Sequence, residues 1–391
     1  MIQLSEALNI VLNNKRLLQT ERINFRETLG RVLAEDIESD IFMPPFDKSA
    51  MDGFACRYED IKNKLTIIET VQAGKKPEKK VGKNQCTRIM TGAMIPEGAD
   101  CVLMVEQTKS VSENEIIFTG KDTKPNICYY GEDLKKGELV LKKGTLLKPQ
   151  HIAVLAAIGA TQPLVYKKPV IGILSTGNEI VEPSIKPGIS QIRNSNSYQL
   201  EAQTIRAGAL PHYMGIVKDT EEETYKAIEK GIKESDILLL TGGVSMGDFD
   251  FVPEVMKKAG IEILFKTIAV QPGKPTTFGR HKDALIFGLP GNPVSSFIQF
   301  ELLVKPLIYH CMGYNFKPQE IKLPMDCDYN RKKTDRMSWF PVKISEKGTV
   351  VPVEYHGSAH IFALPNADAL SYFPIGATTL KKGEYVHVRQ I

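Results

Sequence analysis

The 391-residue sequence lacks most of the signatures that mark common enzyme classes. Its six cysteines (Cys56, Cys86, Cys101, Cys128, Cys311, Cys327) lie far apart and form no Cys-x-x-Cys. That pattern excludes a disulfide framework or a thiolate zinc site and predicts reduced, mostly buried thiols. The seven histidines are scattered and no Gly-x-Ser-x-Gly occurs, which excludes a serine-hydrolase arrangement. Walker A and Gly-x-Gly-x-x-Gly fingerprints are absent. No apolar run approaches the ~20 residues of a membrane span. The N-terminal MIQLSEALNIVLNNK has no signal-peptide core, so a cytoplasmic protein with no membrane partner is expected. Lys+Arg (50) nearly balances Asp+Glu (46), and no basic block carries interleaved aromatics, so nucleic acid is not an expected partner.

What is present is an ordinary globular composition, 42% hydrophobic and 25% charged, in a chain long enough for roughly two to four domains. Residues 4–19 read as an amphipathic helix. Residues 65–145 read as β-rich, with short β-branched runs between turns. From about residue 168, strand and helix alternate. VIGILST, PHYMGIV, DILLLT, IEILFKTIAV and ALIFGL read as strands, and a parallel-type α/β sheet is predicted. The last ~75 residues return to short strands with no helix.

Each strand of the α/β series runs into a polar or glycine-bearing turn: STGNE, VKD, TGGVSMGDFD, QPGKP, GLPGNP. In a parallel sheet such turns share the carboxyl edge and converge on one ligand. Glu179, Asp219 and Asp250 stand in them, with Asp52 and Asp133 in earlier loops. Carboxylates in one cleft without a Cys/His cluster suit a hard cation such as Mg²⁺. Gly242, Gly243, Ser245 and Gly247 make a turn whose N–H groups suit an anion. Lys274 offers an ammonium, and Pro290, Gly291, Asn292 and Pro293 form a rigid backbone turn. On TGGVSMGDFD alone, a solvated structural turn is an equal reading.

Seven motifs in order, PPFDKSAMDGFA, RIMTGAMIPEGAD, GEDLKKG, GILSTGNEI, TGGVSMGDFDF, PGKPTTFG and GLPGNPVSS, resemble the molybdopterin molybdenumtransferase family, the MoeA proteins and the E domain of gephyrin. The resemblance implies a multidomain α/β plus β fold in an elongated, L-shaped chain that forms a homodimer. Its parts would be an N-terminal helical and dimerisation region (1–40 and 145–167), a β-rich lid (41–144), a molybdopterin-binding-like α/β domain (168–312) and a C-terminal β-barrel (313–391). It implies insertion of molybdate into adenylylated molybdopterin with Mg²⁺-dependent release of AMP. The alternatives are an adenylyltransferase of the same fold and reuse as a binding scaffold. By motif match, Asp52, Thr91, Asp133, Glu179, Asp219, Asp250 and Lys274 occupy catalytic positions, with Glu179 and Asp250 near the metal. Arg336 and Ser358 would meet the anions, and Asp52, Thr91 and Asp133 would be supplied across the dimer. Two positions depart from the pattern: Gln271 stands where lysine is common, and Asn178 where aspartate is common.

Overall fold

The buried runs read from the sequence become strands of three six-stranded sheets in the computed structural model, which describes residues 1–243 and 252–391. The chain divides into two compact units. One holds Asp36–Lys143 and Pro149–Thr161; the other holds Met1–Glu35, Gly144–Lys148 and Gln162–Ile391. Among the described residues no helix is long and apolar enough to cross a membrane.

The smaller unit is built on a mixed sheet. Its order is Cys101–Met104, Gly53–Cys56, Gln85–Ile89, Lys64–Val71, Glu115–Phe118, Thr108–Ser112. Leu65, Leu103, Ile116 and Phe54 fill one face, beside Cys56, Cys86 and Cys101. These three thiols are buried and free, and burial raises those of Cys56 and Cys86 well above the usual thiol range. For Cys56 the larger cause is its contact with the Cys101 thiol. Gly53 is required by close approach: a Cβ there would stand 1.9 Å from the carbonyl oxygen of Leu103.

The larger unit carries the α/β sheet, in the order Leu210–Val217, Val170–Thr176, Ile237–Thr241, Leu285–Leu289, Thr277–Arg280, Glu262–Phe265. The first four strands are mutually parallel. Their central members are buried on both faces, which is why Ile237–Leu240 and Leu285–Leu289 read as unbroken apolar runs. The helices Asn196–Arg206, Glu221–Glu234, Val252–Lys258 and Pro293–Gln299 follow the strands. Acids fill the first turn of Glu221–Glu234, and Thr220 caps it by accepting from the N–H of Glu223, as the helix dipole and the orphan N–H groups favour.

Three expectations need correction. The sheet is not wholly parallel, because Thr277–Arg280 runs antiparallel to both of its neighbours. IEILFKTIAV is not one strand: it stops at Phe265, and Val270–Gln271 pairs instead with Met337 and Ser338. QPGKP therefore reaches the sheet's carboxyl edge from an excursion into a second sheet, then re-enters the first as Thr277–Arg280. The N-terminal helix spans Leu4–Asn13, not 4–19. Asn14 folds its amide back onto the carbonyl of Ile10, and Arg16 reaches the carbonyls of His281 and Lys282, drawing the chain out of helix.

The C-terminal residues build the third sheet, in the order Val270–Gln271, Met337–Ile344, Ala369–Phe373, Tyr385–Gln390, Glu320–Pro324, with Val350–Pro352 also on Met337–Ile344. Phe340, Val342, Phe373 and Val388 are among its core residues. A 3₁₀ turn over Ile361–Asn366 interrupts the strands.

Phe287 is fully buried in the α/β sheet against Phe278, 4.7 Å between ring centroids. Phe287→Ala is expected to cost about 3–5 kcal/mol in urea unfolding of the larger unit. A loss below about 1 kcal/mol would contradict the packing described.

Candidate functional site

The site begins with strand register. Ser175 lies opposite Thr241, and Thr241 opposite Leu289, so three parallel strands end level. The turns that follow, Gly177–Asn178–Glu179, Gly242–Gly243 and Pro290–Pro293, therefore leave the sheet side by side. The Gly242 and Gly243 φ values, 92° and 60°, lie in the left-handed region. A Cβ on Gly242 would stand 2.3 Å from the carbonyl oxygen of Thr176, so no larger residue fits. Gly291 packs on the same turn, its Cβ position 3.7 Å from the Cα of Gly242.

Carboxylates gather around this turn. The Oδ1 of Asp219 lies 3.7 Å from the Cβ position of Gly243, and the Glu179 carboxylate folds over Gly177. Asn178 takes a structural part: its Oδ1 accepts the N–H of Asp219 at 3.2 Å and ties the two loops together. The Oγ1 of Thr176 is buried beneath the turn and has no hydrogen-bond partner among the described residues. Ser245, Gly247 and Asp250 lie outside the described residues. Among those described, no group of three His, Cys, Asp or Glu side chains is placed to hold a metal on its own.

Donors for an anion stand on the neighbouring segments. Lys274 is exposed, and its carbonyl accepts from the N–H groups of Ile268 and Thr276, both at 3.0 Å. The buried Gln299 donates to the carbonyl of Pro272 at 3.1 Å and packs where Gly273 would otherwise carry a Cβ. Asn292 donates to the hydroxyl of Ser358 at 2.9 Å, and the N–H of Val294 reaches the Ser358 carbonyl at 3.0 Å. The structure thus brings Ser358 onto the LPGNP turn from 66 residues away. Arg336 precedes Met337, which pairs with Val270 just upstream of QPGKP.

Sequence reasoning missed a buried polar network beneath the edge. The Ser175 hydroxyl meets those of Ser197 at 2.8 Å and Thr241 at 3.0 Å. Asn194 donates to Ser197 and to the Tyr213 hydroxyl, each at 3.1 Å, and Tyr213 donates to Glu182 at 2.6 Å. Burial, with Glu182 beside it, pushes the Tyr213 phenol up from its ordinary value. Ser175 sits within a motif already singled out, STGNE, and Asn194 in none. Their role was hidden because a hydroxyl in a strand gives no periodic signal.

The smaller unit brings Asp52 and Thr91 together. Gly53 pairs with Ile89 across antiparallel strands, so the residues just outside them share one end. The Oδ1 of Asp52 accepts from the Thr91 N–H at 2.7 Å and its hydroxyl at 3.0 Å. These bonds, the backbone one first, hold the Asp52 carboxyl below its ordinary range. Asp133 is exposed on a loop whose N–H groups at 131, 133 and 134 bond the carbonyls of Met43 and Pro44.

Residues 2–159 match the MoeA N-terminal region (domain I and II), 172–310 a probable molybdopterin binding domain, and 322–391 the MoeA C-terminal region (domain IV). The molybdopterin molybdenumtransferase of Bacillus subtilis is 37% identical over 99% of this chain and 93% of its own length. That of Staphylococcus epidermidis is 36% identical over 99% and 95%. The chain belongs to the molybdopterin molybdenumtransferase family. A solved MoeA structure from Pyrococcus horikoshii OT3 superposes with a TM-score of 0.86 at 31% identity, covering 100% of both chains.

The Asp52 pair has a pH signature. Its carboxyl is depressed in the folded state, so the interaction is present above the unfolded value and is lost as pH falls through the folded one. Thr91→Val removes the hydroxyl donor and keeps the N–H. The Asp52 pKa is expected to rise part of the way toward about 3.9, read by carboxyl ¹³C titration. An unchanged titration would contradict the assignment.

Proposed function

We propose that the chain inserts molybdate into adenylylated molybdopterin, releasing AMP and giving molybdenum bound to molybdopterin. The observation that carries this reading is the convergence of STGNE, the TGG turn and LPGNP with Ser358 on one sheet edge.

The substrates are polyanions, so Glu179 and Asp219 would repel them without a cation between. The oxygen donors here fit Mg²⁺, which is commonly held by one or two carboxylates together with substrate phosphates. Glu179, with Asp250 and Asp219, would hold it, and when bound it supplies neutralisation of charge on the pyrophosphate. The remaining roles belong to the chain's own backbone and side-chain groups. The N–H groups of the Gly242–Gly243 turn hold the phosphate side of the substrate. Lys274, Arg336 and the hydroxyl of Ser358 orient molybdate. Asn292 fixes the Ser358 hydroxyl by donating to it, which leaves the hydroxyl proton to the anion.

In the same proposal the protein is a cytoplasmic, L-shaped homodimer. Each protomer receives Asp52, Thr91 and Asp133 from its partner, and the C-terminal sheet closes as a barrel. The adenylyltransferase alternative is not favoured, because the likeness to MoeA regions runs well beyond the molybdopterin-binding domain on both sides.

Purified protein given adenylylated molybdopterin, Mg²⁺ and molybdate is expected to release AMP only when molybdate is present. Lys274→Ala should slow that release by roughly 10²-fold or more, the scale of one lost donor to developing charge. AMP release indifferent to molybdate would sink the proposal.

A further inference from the structure

The larger unit contains a second concave feature, a cavity of about 430 Å³ between the Lys305–Cys311 helix and the C-terminal sheet. We propose that it binds a small planar anion: an aromatic ring bearing one acidic group. This inference does not rest on the function proposed above.

The volume falls within the ~300–1,000 Å³ typical of ligand pockets. One wall is flat. Tyr309 and Phe316 stack with centroids 4.8 Å apart and 6° between planes, and Tyr314 meets Tyr309 edge-on at 5.6 Å. Ile321 and Val388 add apolar surface from the facing sheet. A ring slotted beside such a wall gains offset-stacking and burial.

The charge lining the cavity is positive. Lys148, Lys305, Lys317 and Arg389 face one lining acid, Glu301. That carboxylate is already neutralised, since its side chain is 1% exposed and ion-paired to both Arg206 and Lys305. Gln203 adds a bond at 2.8 Å. Arg389 is held by Glu320 at 2.6 Å and Lys305 by Glu301 at 2.8 Å, so the cation the argument uses is Lys317. Lys305 also lies 5.8 Å from the Phe316 ring centroid, which sets an ammonium beside the aromatic wall. Lys317 makes no ion pair among the described residues and is exposed at the rim. A neutral aromatic would leave the Lys317 ammonium uncompensated, and a compact inorganic anion would leave the apolar wall wet.

The test uses full-length protein, with 1-naphthoate as the probe and 1-naphthylmethanol as its neutral counterpart, followed by titration calorimetry. Saturable one-to-one binding of naphthoate is expected, with naphthylmethanol weaker by roughly tenfold or more. Phe316→Ala and Lys317→Glu should each weaken naphthoate by roughly tenfold. Lys317 is exposed, so its variant keeps the fold, checked by its melting temperature. Lys274→Ala should leave naphthoate binding unchanged, which separates this cavity from the sheet edge. No saturable binding, equal affinity for the neutral probe, or affinity unmoved by Lys317→Glu would overturn the proposal.

Discussion

The close approach of Gly242 to the carbonyl of Thr176 is the constraint on which the site depends. It is possible only because Ser175 and Thr241 are paired in parallel register and end their strands together. Any Cβ at Gly242 would push the two turns apart. With the approach in place, Gly291 lies against Gly242 and Asn196 donates to the Gly291 carbonyl at 2.7 Å, so a third turn is locked to the first two. Ser175, Ser197, Asn194 and Thr241 then satisfy one another, whereas the Thr176 Oγ1 beneath the turn has no partner among the described residues. An unpaired hydroxyl there would cost roughly 1–3 kcal/mol.

Charge follows from that geometry. Glu179 and Asp219 stand on two loops that the bond from the Asp219 N–H to Asn178 ties together. The smaller unit handles its acid differently. Asp52 is satisfied internally by Thr91, which lowers its carboxyl from the ordinary value and fixes its direction. Asp133 is presented by a loop whose backbone is pinned to Met43 and Pro44, so its position is set by main-chain bonds.

Much of this was legible in the residues because burial writes itself into sequence. Ile237–Leu240 and Leu285–Leu289 are covered on both faces and read as continuous apolar runs. Their glycine turns mark where the chain leaves the sheet. The antiparallel strand Thr277–Arg280 was not legible, since its direction is set by pairing with Leu285–Leu289. The break in IEILFKTIAV was hidden for a related reason: Val270 and Gln271 are claimed by Met337 and Ser338, far along the chain. Asn178, which stands where aspartate is common, accepts the N–H of Asp219, a contact that no local pattern announces. The link between Asn292 and Ser358 spans two sheets, and no local pattern encodes it. The motif match supplied both residues, and the structure supplied their contact.

The central claim is that the carboxyl edge of the α/β sheet is where cation and anion meet. The direct measurement is anomalous diffraction at the manganese edge from crystals grown with Mn²⁺ and AMP. The account predicts a manganese peak within coordinating distance of the Glu179 carboxylate, beside the Gly242–Gly243 turn. Manganese found only elsewhere on the protein, with AMP bound away from that edge, would contradict it.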